Sequence, residues 1–230
     1  MIALPAPSSV DRRRQRAELG VVLLLLAPSL ALSFFAVRQE TLPFWPLAIS
    51  TILQDTGLVA LIAYFLWRSA DAPSAVGWRV PPPWRDALIG IALFGPMTLS
   101  ASLLDAGLTH LGVPGPPSDQ ATPLAVHNAP EAVMATVVVV VIAIAEETLF
   151  RGYLLRRLTG MGWSVPMAVL GSSLIFSLGH GYEGVTGVIT VAYVGAFFAS
   201  VYVWRGSLVA PATMHFLQDF VAIVIVQLLR

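Results

Sequence analysis

Long apolar segments, separated by short polar ones, run through almost the whole sequence. A helix needs about 20 consecutive apolar residues to cross the hydrocarbon core of a bilayer. The apolar segments here are close to that length, and they predict spans at about residues 19–37, 44–67, 87–104, 132–158, 165–180, 185–204 and 208–229. The predicted fold class is therefore all-α, a polytopic transmembrane helix bundle of about seven spans.

The composition agrees with an integral membrane protein. Of the 230 residues, 57% are hydrophobic and only 11% are charged, whereas a soluble domain carries about 25% charged residues. The formal net charge is zero, so no basic surface suggests a nucleic-acid partner. The chain has no cysteine, which excludes disulfides, thiolate metal sites and a cysteine nucleophile.

The distribution of arginine predicts the orientation in the membrane. Eleven of the thirteen basic residues, all arginine, fall at one end of the predicted spans, and only Arg38 and Arg230 fall at the other. Because basic residues concentrate in cytoplasmic loops, we expect a cytoplasmic N-terminus. The first apolar segment is longer than the apolar core of a signal peptide, so we predict that it is retained as a membrane anchor. A basic content made only of arginine is typical of GC-rich bacterial genomes, which favours a bacterial plasma membrane.

Polar residues inside the apolar segments are the main functional clue. Three motifs lie in the part from residue 131 to 230: Glu146-Glu147-x-x-x-Arg151, Phe176-x-x-x-His180 and His215-x-x-x-Asp219. Each ionisable residue at the centre of a span costs about 3 kcal/mol to insert, so such residues indicate a function. Gln54 and Asp55 also lie inside an apolar segment, where they could line a cavity, but no motif includes them.

Helix geometry predicts how these motifs are arranged. Residues four apart share a helix face, so Glu147 and Arg151 are placed to pair, while Glu146 lies on another face without a local cation. At 1.5 Å per residue, Glu146, His180 and His215 lie at roughly 18, 22 and 12 Å from the same membrane surface. The three side chains are therefore predicted to converge in the middle of the membrane, where Glu146 is free to act as a base on water.

The three motifs, in this order on successive helices, resemble the CPBP family. This family comprises CAAX proteases and bacteriocin-processing enzymes and is also called the Abi family. The flanking residues 146–157 and 206–215 agree, and the resemblance covers about residues 132–229. It implies that residues 131–230 form a catalytic helical core and that residues 1–130 add three further spans and their loops. The implied function is an intramembrane endopeptidase, a hydrolase acting on membrane-associated peptides or proteins.

The resemblance also implies a role for each candidate residue. Glu146 would activate a water molecule that His180 holds, Glu147 and Arg151 would support the site, and His215 and Asp219 would stabilise the oxyanion. No cofactor is implied, and the expected partners are the lipid bilayer and the substrate. The family motif has Asn or Asp at this position, and Asp219 is the less familiar of the two. An ionised carboxylate cannot donate a hydrogen bond. Asp219 would therefore be protonated or would act by orienting His215.

Other functions stay open at this point. Two histidines and several carboxylates could bind zinc in an intramembrane metalloprotease, although the sequence lacks His-Glu-x-x-His. Serines occur in the fifth apolar segment, but no nucleophile motif surrounds them. A non-catalytic immunity or chaperone-like protein is a further alternative, as is a transporter, although no inverted repeat supports transport. Glu147 and Arg151 could also be only a structural ion pair.

Overall fold

The structure, a computed structural model, describes residues 12–35, 43–79, 83–116 and 124–229, and in these ranges it contains helices and no strand. Within these ranges, six helices are long and apolar enough to cross a membrane. The seven helices of the described ranges are α1 (Arg12–Ser33), α2 (Phe44–Arg68), α3 (Trp84–His110), α4 (Ala129–Gly160), α5 (Val165–Leu178), α6 (Gly184–Arg205) and α7 (Val209–Leu228). The predicted all-α bundle of about seven spans is confirmed.

The fifth predicted span is shorter than the sequence suggested. Helix α5 has 14 residues, or roughly 21 Å at 1.5 Å per residue, against a hydrocarbon thickness of roughly 30 Å. It ends at Leu178, and a 3₁₀ turn at Gly181–Glu183 follows. Glycines on both sides of His180 disfavour continuation of the helix, because glycine loses the most conformational freedom in it. The predicted span 165–180 is therefore wrong at its end, and His180 lies after the helix.

Other helix ends also differ from the prediction. Helix α1 begins at Arg12 and not at 19, because its basic first turns remain helical with an ion pair between Arg14 and Glu18 at 3.1 Å. Helix α3 continues to His110 and not to 104. Asp105 is thus helical, although the third predicted span ended at residue 104. The predicted positions of residues 1–11, Arg38 and Arg230 lie outside the described residues.

The N-terminus of α4 has the capping pattern that its sequence favours. The side chain of Asn128 accepts a hydrogen bond from the backbone N–H of Glu131 at 3.0 Å. The Glu131 carboxylate accepts one from the backbone N–H of His127 at 2.8 Å. This reciprocal arrangement satisfies donors that a helix start otherwise leaves unpaired.

Two helices change to π geometry directly after an acidic residue. In α4 the π segment is Glu147–Leu154, after Glu146, and in α7 it is Phe220–Ile225, after Asp219. All eight residues of the first π segment are buried. Short π segments inside α-helices are frequent at functional sites. Here they mark the points at which the two helices approach the centre of the bundle.

We call the end of the bundle where α1 begins the proximal end, and the opposite end the distal end. At the proximal end, Arg157 of α4 donates to Glu18 of α1 at 3.0 Å. The connection between α2 and α3 enters the bundle from this end, since the indole N–H of Trp78 donates to Oγ1 of Thr148, in the middle of α4, at 2.8 Å. At the distal end, Ser33 Oγ of α1 donates to the carbonyl of Leu178 at 2.7 Å. Polar contacts therefore hold α1 at both of its ends.

Close packing of α3 on α7 depends on Gly90. A Cβ added to Gly90 would lie 2.6 Å from the carbonyl oxygen of Ala210 and 2.8 Å from Cβ of Thr213. We therefore expect Gly90→Ala to destabilise the protein by about 1–3 kcal/mol, because the two helices must separate. Thermal unfolding in detergent measures this. Gly57→Ala is the matched control, since a Cβ there meets nothing within 4 Å; equal melting temperatures for the two variants would contradict the packing argument.

Candidate active site

A cavity of about 820 Å³ lies inside the bundle, and residues of all seven helices line it. Four of the six predicted site residues are in its wall: Glu146, His180, His215 and Asp219. The three side chains predicted to converge, those of Glu146, His180 and His215, therefore line the same cavity. The other two predicted residues, Glu147 and Arg151, are fully buried behind this wall.

Glu147 joins two helices through one carboxylate oxygen. Its Oε1 accepts a hydrogen bond from Nη1 of Arg151 at 2.7 Å, which is the ion pair predicted from the spacing. The same oxygen lies 2.9 Å from Nδ1 of His215, and this nitrogen donates to it. The second contact was not predicted, because it joins residues that are 68 positions apart in the chain. Glu147 thereby fixes the orientation of the His215 ring.

The guanidinium of Arg151 is enclosed by aromatic rings and a backbone carbonyl. Its Cζ lies 4.3 Å from the ring centre of Phe176 and 5.2 Å from that of Phe198, and Nη2 donates to the carbonyl of Gly195 at 3.2 Å. A Cβ at Gly195 would lie 3.0 Å from Phe176, so a glycine permits this approach of α6. Phe176 therefore does more than fill space, since cation–π contacts stabilise a desolvated cation.

The Nε2 atom of His215 lies between two cavity-lining carboxylates. It is 3.6 Å from Oε2 of Glu146 and 3.5 Å from Oδ2 of Asp219. Both separations exceed the usual hydrogen-bond length of about 3 Å. The three groups all line the cavity, so a water or substrate oxygen inside it can contact them together. In the described part of the chain, Glu146 forms no ion pair with an arginine within 4 Å, and its side chain is 28% exposed to the cavity.

His180 reaches the cavity from the turn after α5. Its Nδ1 lies 3.4 Å from the carbonyl oxygen of Phe176, and its ring packs against the Phe176 ring with the centres 5.2 Å apart. A carbonyl oxygen can only accept, so this contact places the proton on Nδ1 and leaves Nε2 as an acceptor. An acceptor nitrogen in the cavity wall can hold a water molecule.

The family comparison covers this same region of the chain. Residues 128–221 match the model of the family described as type II CAAX prenyl endopeptidase Rce1-like. The match covers less than half of the chain. It begins at the N-cap of α4, ends in α7 and includes all six predicted site residues. The resemblance to the CAAX protease family is thus confirmed for this segment. No curated protein and no solved structure gives a significant match.

Several residues of the cavity wall were missed or left unassigned by the sequence. Asp55 of α2 and Asp105 of α3 line the cavity although they precede the matched segment. Asp55 stood out only as an acid inside an apolar segment, and Asp105 lay at a predicted helix end. Glu183, next to the turn that carries His180, also lines the cavity. The position of Glu183 three residues after a motif histidine was the one available signal.

Within the described ranges, no group of three or more His, Asp and Glu side chains is arranged to hold a metal ion. Around Nε2 of His215, the cavity-lining carboxylate oxygens of Asp219 and Glu146 lie at 3.5 and 3.6 Å. Zinc–nitrogen and zinc–oxygen bonds are about 2.0–2.2 Å long. If zinc were bound here, Glu146, His215 and Asp219 would have to be its ligands.

Proposed function

We propose that this protein is an intramembrane endopeptidase that hydrolyses a membrane-associated peptide or protein with water activated by Glu146. The observation that supports this most strongly is the shared cavity wall of Glu146, His180, His215 and Asp219 inside an Rce1-like domain. A positioned base, a water-holding acceptor and a group for the oxyanion are the parts that peptide hydrolysis requires.

The reaction starts at the water molecule. Glu146 removes a proton from the water, which His180 holds through Nε2, and the oxygen attacks the scissile carbonyl carbon. The carbonyl oxygen then carries the negative charge of a tetrahedral intermediate. Glu146 returns the proton to the amide nitrogen, the carbon–nitrogen bond breaks, and the products are a new carboxyl terminus and a new amino terminus. The site is regenerated without any other reactant.

His215 is the group best placed to stabilise the oxyanion. Its Nδ1 is bonded to Glu147, so a doubly protonated ring presents Nε2–H to the cavity as a donor. The carboxylates of Glu146, Glu147 and Asp219 lie 2.9–3.6 Å from this ring and compensate its positive charge. Glu147 and Arg151 are positioning residues in this scheme, because they touch His215 or Glu147 and not the cavity.

Substitutions of Asp219 test which group stabilises the oxyanion. We expect Asp219→Asn to keep kcat within about tenfold of wild type, because an amide can donate directly to the oxyanion. Asp219→Leu should lower kcat by about 100-fold or more, because His215, the donor to the oxyanion, loses the carboxylate beside its Nε2. Initial rates with a fluorogenic peptide give both values. An inactive Asp219→Asn enzyme that is still folded would instead show that the carboxylate itself is required.

Arginines support the orientation that we propose, with the proximal end in the cytoplasm of a bacterial cell. Arg68, Arg79, Arg85 and Arg205 all lie at or beside helix ends of the proximal side, and basic residues concentrate in cytoplasmic loops. Since the chain lacks cysteine, single cysteines can report the topology. In intact cells, an impermeant maleimide should label Thr109→Cys and spare Ser74→Cys, both exposed positions. The reverse pattern would refute the orientation.

The proposed activity is tested by product analysis with purified protein in nanodiscs. Incubation with a quenched peptide library in H₂¹⁸O should give cleaved peptides with one ¹⁸O in each new carboxyl terminus, identified by mass spectrometry. Cleavage should need no ion gradient. Absence of any cleaved peptide, together with saturable proton-coupled uptake into proteoliposomes, would favour transport and overturn the endopeptidase.

A further inference from the structure

The first helix lies outside the segment that matches the family model, yet its last turn contacts the backbone that carries His180. We infer that Ser33 of α1 is a positioning residue for catalysis. Its hydroxyl fixes the turn formed by residues 179–183, which we call the His180 turn, and thereby keeps the His180 ring in place. This inference rests on the proposed endopeptidase function and goes further, because it makes α1 part of the active site.

The His180 turn depends on contacts from outside the helix that precedes it. Helix α5 ends at Leu178, and a 3₁₀ turn begins at Gly181. The last carbonyl groups of a helix have no partner within the helix itself, so other groups must satisfy them. The position of His180 is therefore determined by what bonds the backbone on its two sides.

The hydroxyl of Ser33 bonds the backbone before and after His180. It accepts a hydrogen bond from the N–H of Gly181 at 3.2 Å and donates to the carbonyl of Leu178 at 2.7 Å. The carbonyl of Leu30 in its own helix lies at the same distance, so the two carbonyls share the one hydroxyl proton.

Burial makes this hydroxyl important. Ser33 is only 7% exposed, and Gly181 is buried. In the described part of the chain, Ser33 Oγ is the one acceptor for the N–H of Gly181. A buried donor that loses its acceptor is costly. Without the hydroxyl, the turn would therefore move until this N–H finds another partner.

The end of α1 also packs on the two glycines beside His180. A Cβ at Gly181 would lie 2.6 Å from Cγ of Phe34, so the Phe34 ring lies directly against this glycine. A Cβ at Gly179 would lie 3.6 Å from Cδ2 of Leu30, which is an ordinary van der Waals distance. The contact between α1 and the His180 turn is thus close on both sides of the histidine.

The backbone contacts of Ser33 determine where the His180 ring lies. Nδ1 of His180 lies 3.4 Å from the carbonyl oxygen of Phe176 in α5, so the ring keeps this contact only while the turn stays in place against the end of α5. Ser33 joins these two parts, since it bonds Leu178 of α5 and Gly181 of the turn. A misplacement of about 1 Å at a catalytic group can cost about 100-fold in rate.

Substitutions of Ser33 test the inference with a peptide that wild type cleaves. We expect Ser33→Ala to lower kcat by about 10–100-fold with KM little changed, because the substrate still binds while the water held by His180 is misplaced. Ser33→Thr keeps a hydroxyl and should recover most of the lost kcat. Ser50→Ala is the matched control and should keep wild-type kcat, since Ser50 is exposed, lies outside the cavity and donates to the carbonyl of Leu47 in its own helix.

The other end of α1 distinguishes positioning from stability. Glu18→Gln weakens the ion pair with Arg157 that holds the proximal end of α1. We expect this variant to lower the melting temperature at least as much as Ser33→Ala does, and yet to keep wild-type kcat. Equal losses of kcat in the two variants would show that α1 acts only through stability and would overturn the positioning role.

Histidine NMR measures the effect on His180 without any substrate. The chain has four histidines, and His180→Gln assigns the ring signals of His180 in ¹⁵N-histidine-labelled protein in nanodiscs. Ser33→Ala should shift these signals, and Ser50→Ala should not. Unchanged His180 signals in folded Ser33→Ala protein would overturn the inference. If wild type cleaves no peptide, the proposed function fails, and the NMR signals alone then decide whether Ser33 holds His180.

Discussion

Glu146→Gln is expected to lower kcat by about a thousandfold or more, because a positioned general base contributes about 10²–10⁴ to the rate and the amide cannot take its proton. The substitution keeps the size and polarity of the side chain. Since Glu146 is partly exposed to the cavity and makes no hydrogen bond shorter than the 3.6 Å contact with His215, the fold should be unchanged. Initial rates with a fluorogenic peptide, and size-exclusion profiles of the purified variant, measure both effects.

Glu131→Gln is the matched control for this variant. Glu131 lies in the first turn of the same helix, outside the cavity, and its substitution makes the same chemical change. An amide oxygen can still accept the hydrogen bond from His127, so this variant should keep wild-type kcat. A well-folded Glu146→Gln protein with substantial activity would remove Glu146 as the base.

Arg151→Met is expected to destabilise the protein by about 3–5 kcal/mol, because it removes the guanidinium from the buried carboxylate of Glu147, which then keeps only its contact with His215. Both side chains of the pair are at most 1% exposed, so water cannot replace the lost partner. The fall in melting temperature of the detergent-purified protein measures the effect. An unchanged melting temperature would show that Glu147 is satisfied without Arg151.

The double variant Glu147→Gln/Arg151→Met separates a positioning role from a structural one. Removing both charges should recover most of the lost stability, since replacing both partners of a buried pair is often nearly neutral. Its kcat should nevertheless stay low by about 100-fold, with KM little changed, because His215 loses the carboxylate that orients it. Recovery of both stability and kcat would mean that the pair is only structural.

Much of the fold could be predicted because the hydrocarbon core of a bilayer permits few backbone conformations. Backbone groups in lipid must be satisfied within a helix, so long apolar segments mark most of the spans. The fifth helix was mispredicted because apolar residues continue to Leu178 while the backbone breaks at the glycines around His180. Asp105 was placed in a loop because a polar residue near a span end resembles the start of a connection.

Within the candidate site, only contacts between residues close in sequence could be predicted from their spacing. The spacing of four between Glu147 and Arg151 was sufficient to predict their ion pair. The contact between Glu147 and His215 depends on how α4 packs against α7, which no local pattern encodes. The π segment that begins at Glu147 has more residues per turn than an α-helix. A sequence pattern interpreted with the α-helical period therefore does not reveal it. The acids of α2 and α3 entered the site through the same tertiary packing.

The most direct test of metal-independent hydrolysis by Glu146 is peptide cleavage under chelation. Purified wild type in nanodiscs is assayed with a quenched peptide library, with and without EDTA and o-phenanthroline, beside Glu146→Gln. We expect the wild-type rate to survive both chelators and the Glu146→Gln rate to be at background. A wild-type rate that is lost on chelation and restored by added zinc would contradict the account and make Glu146, His215 and Asp219 candidate metal ligands.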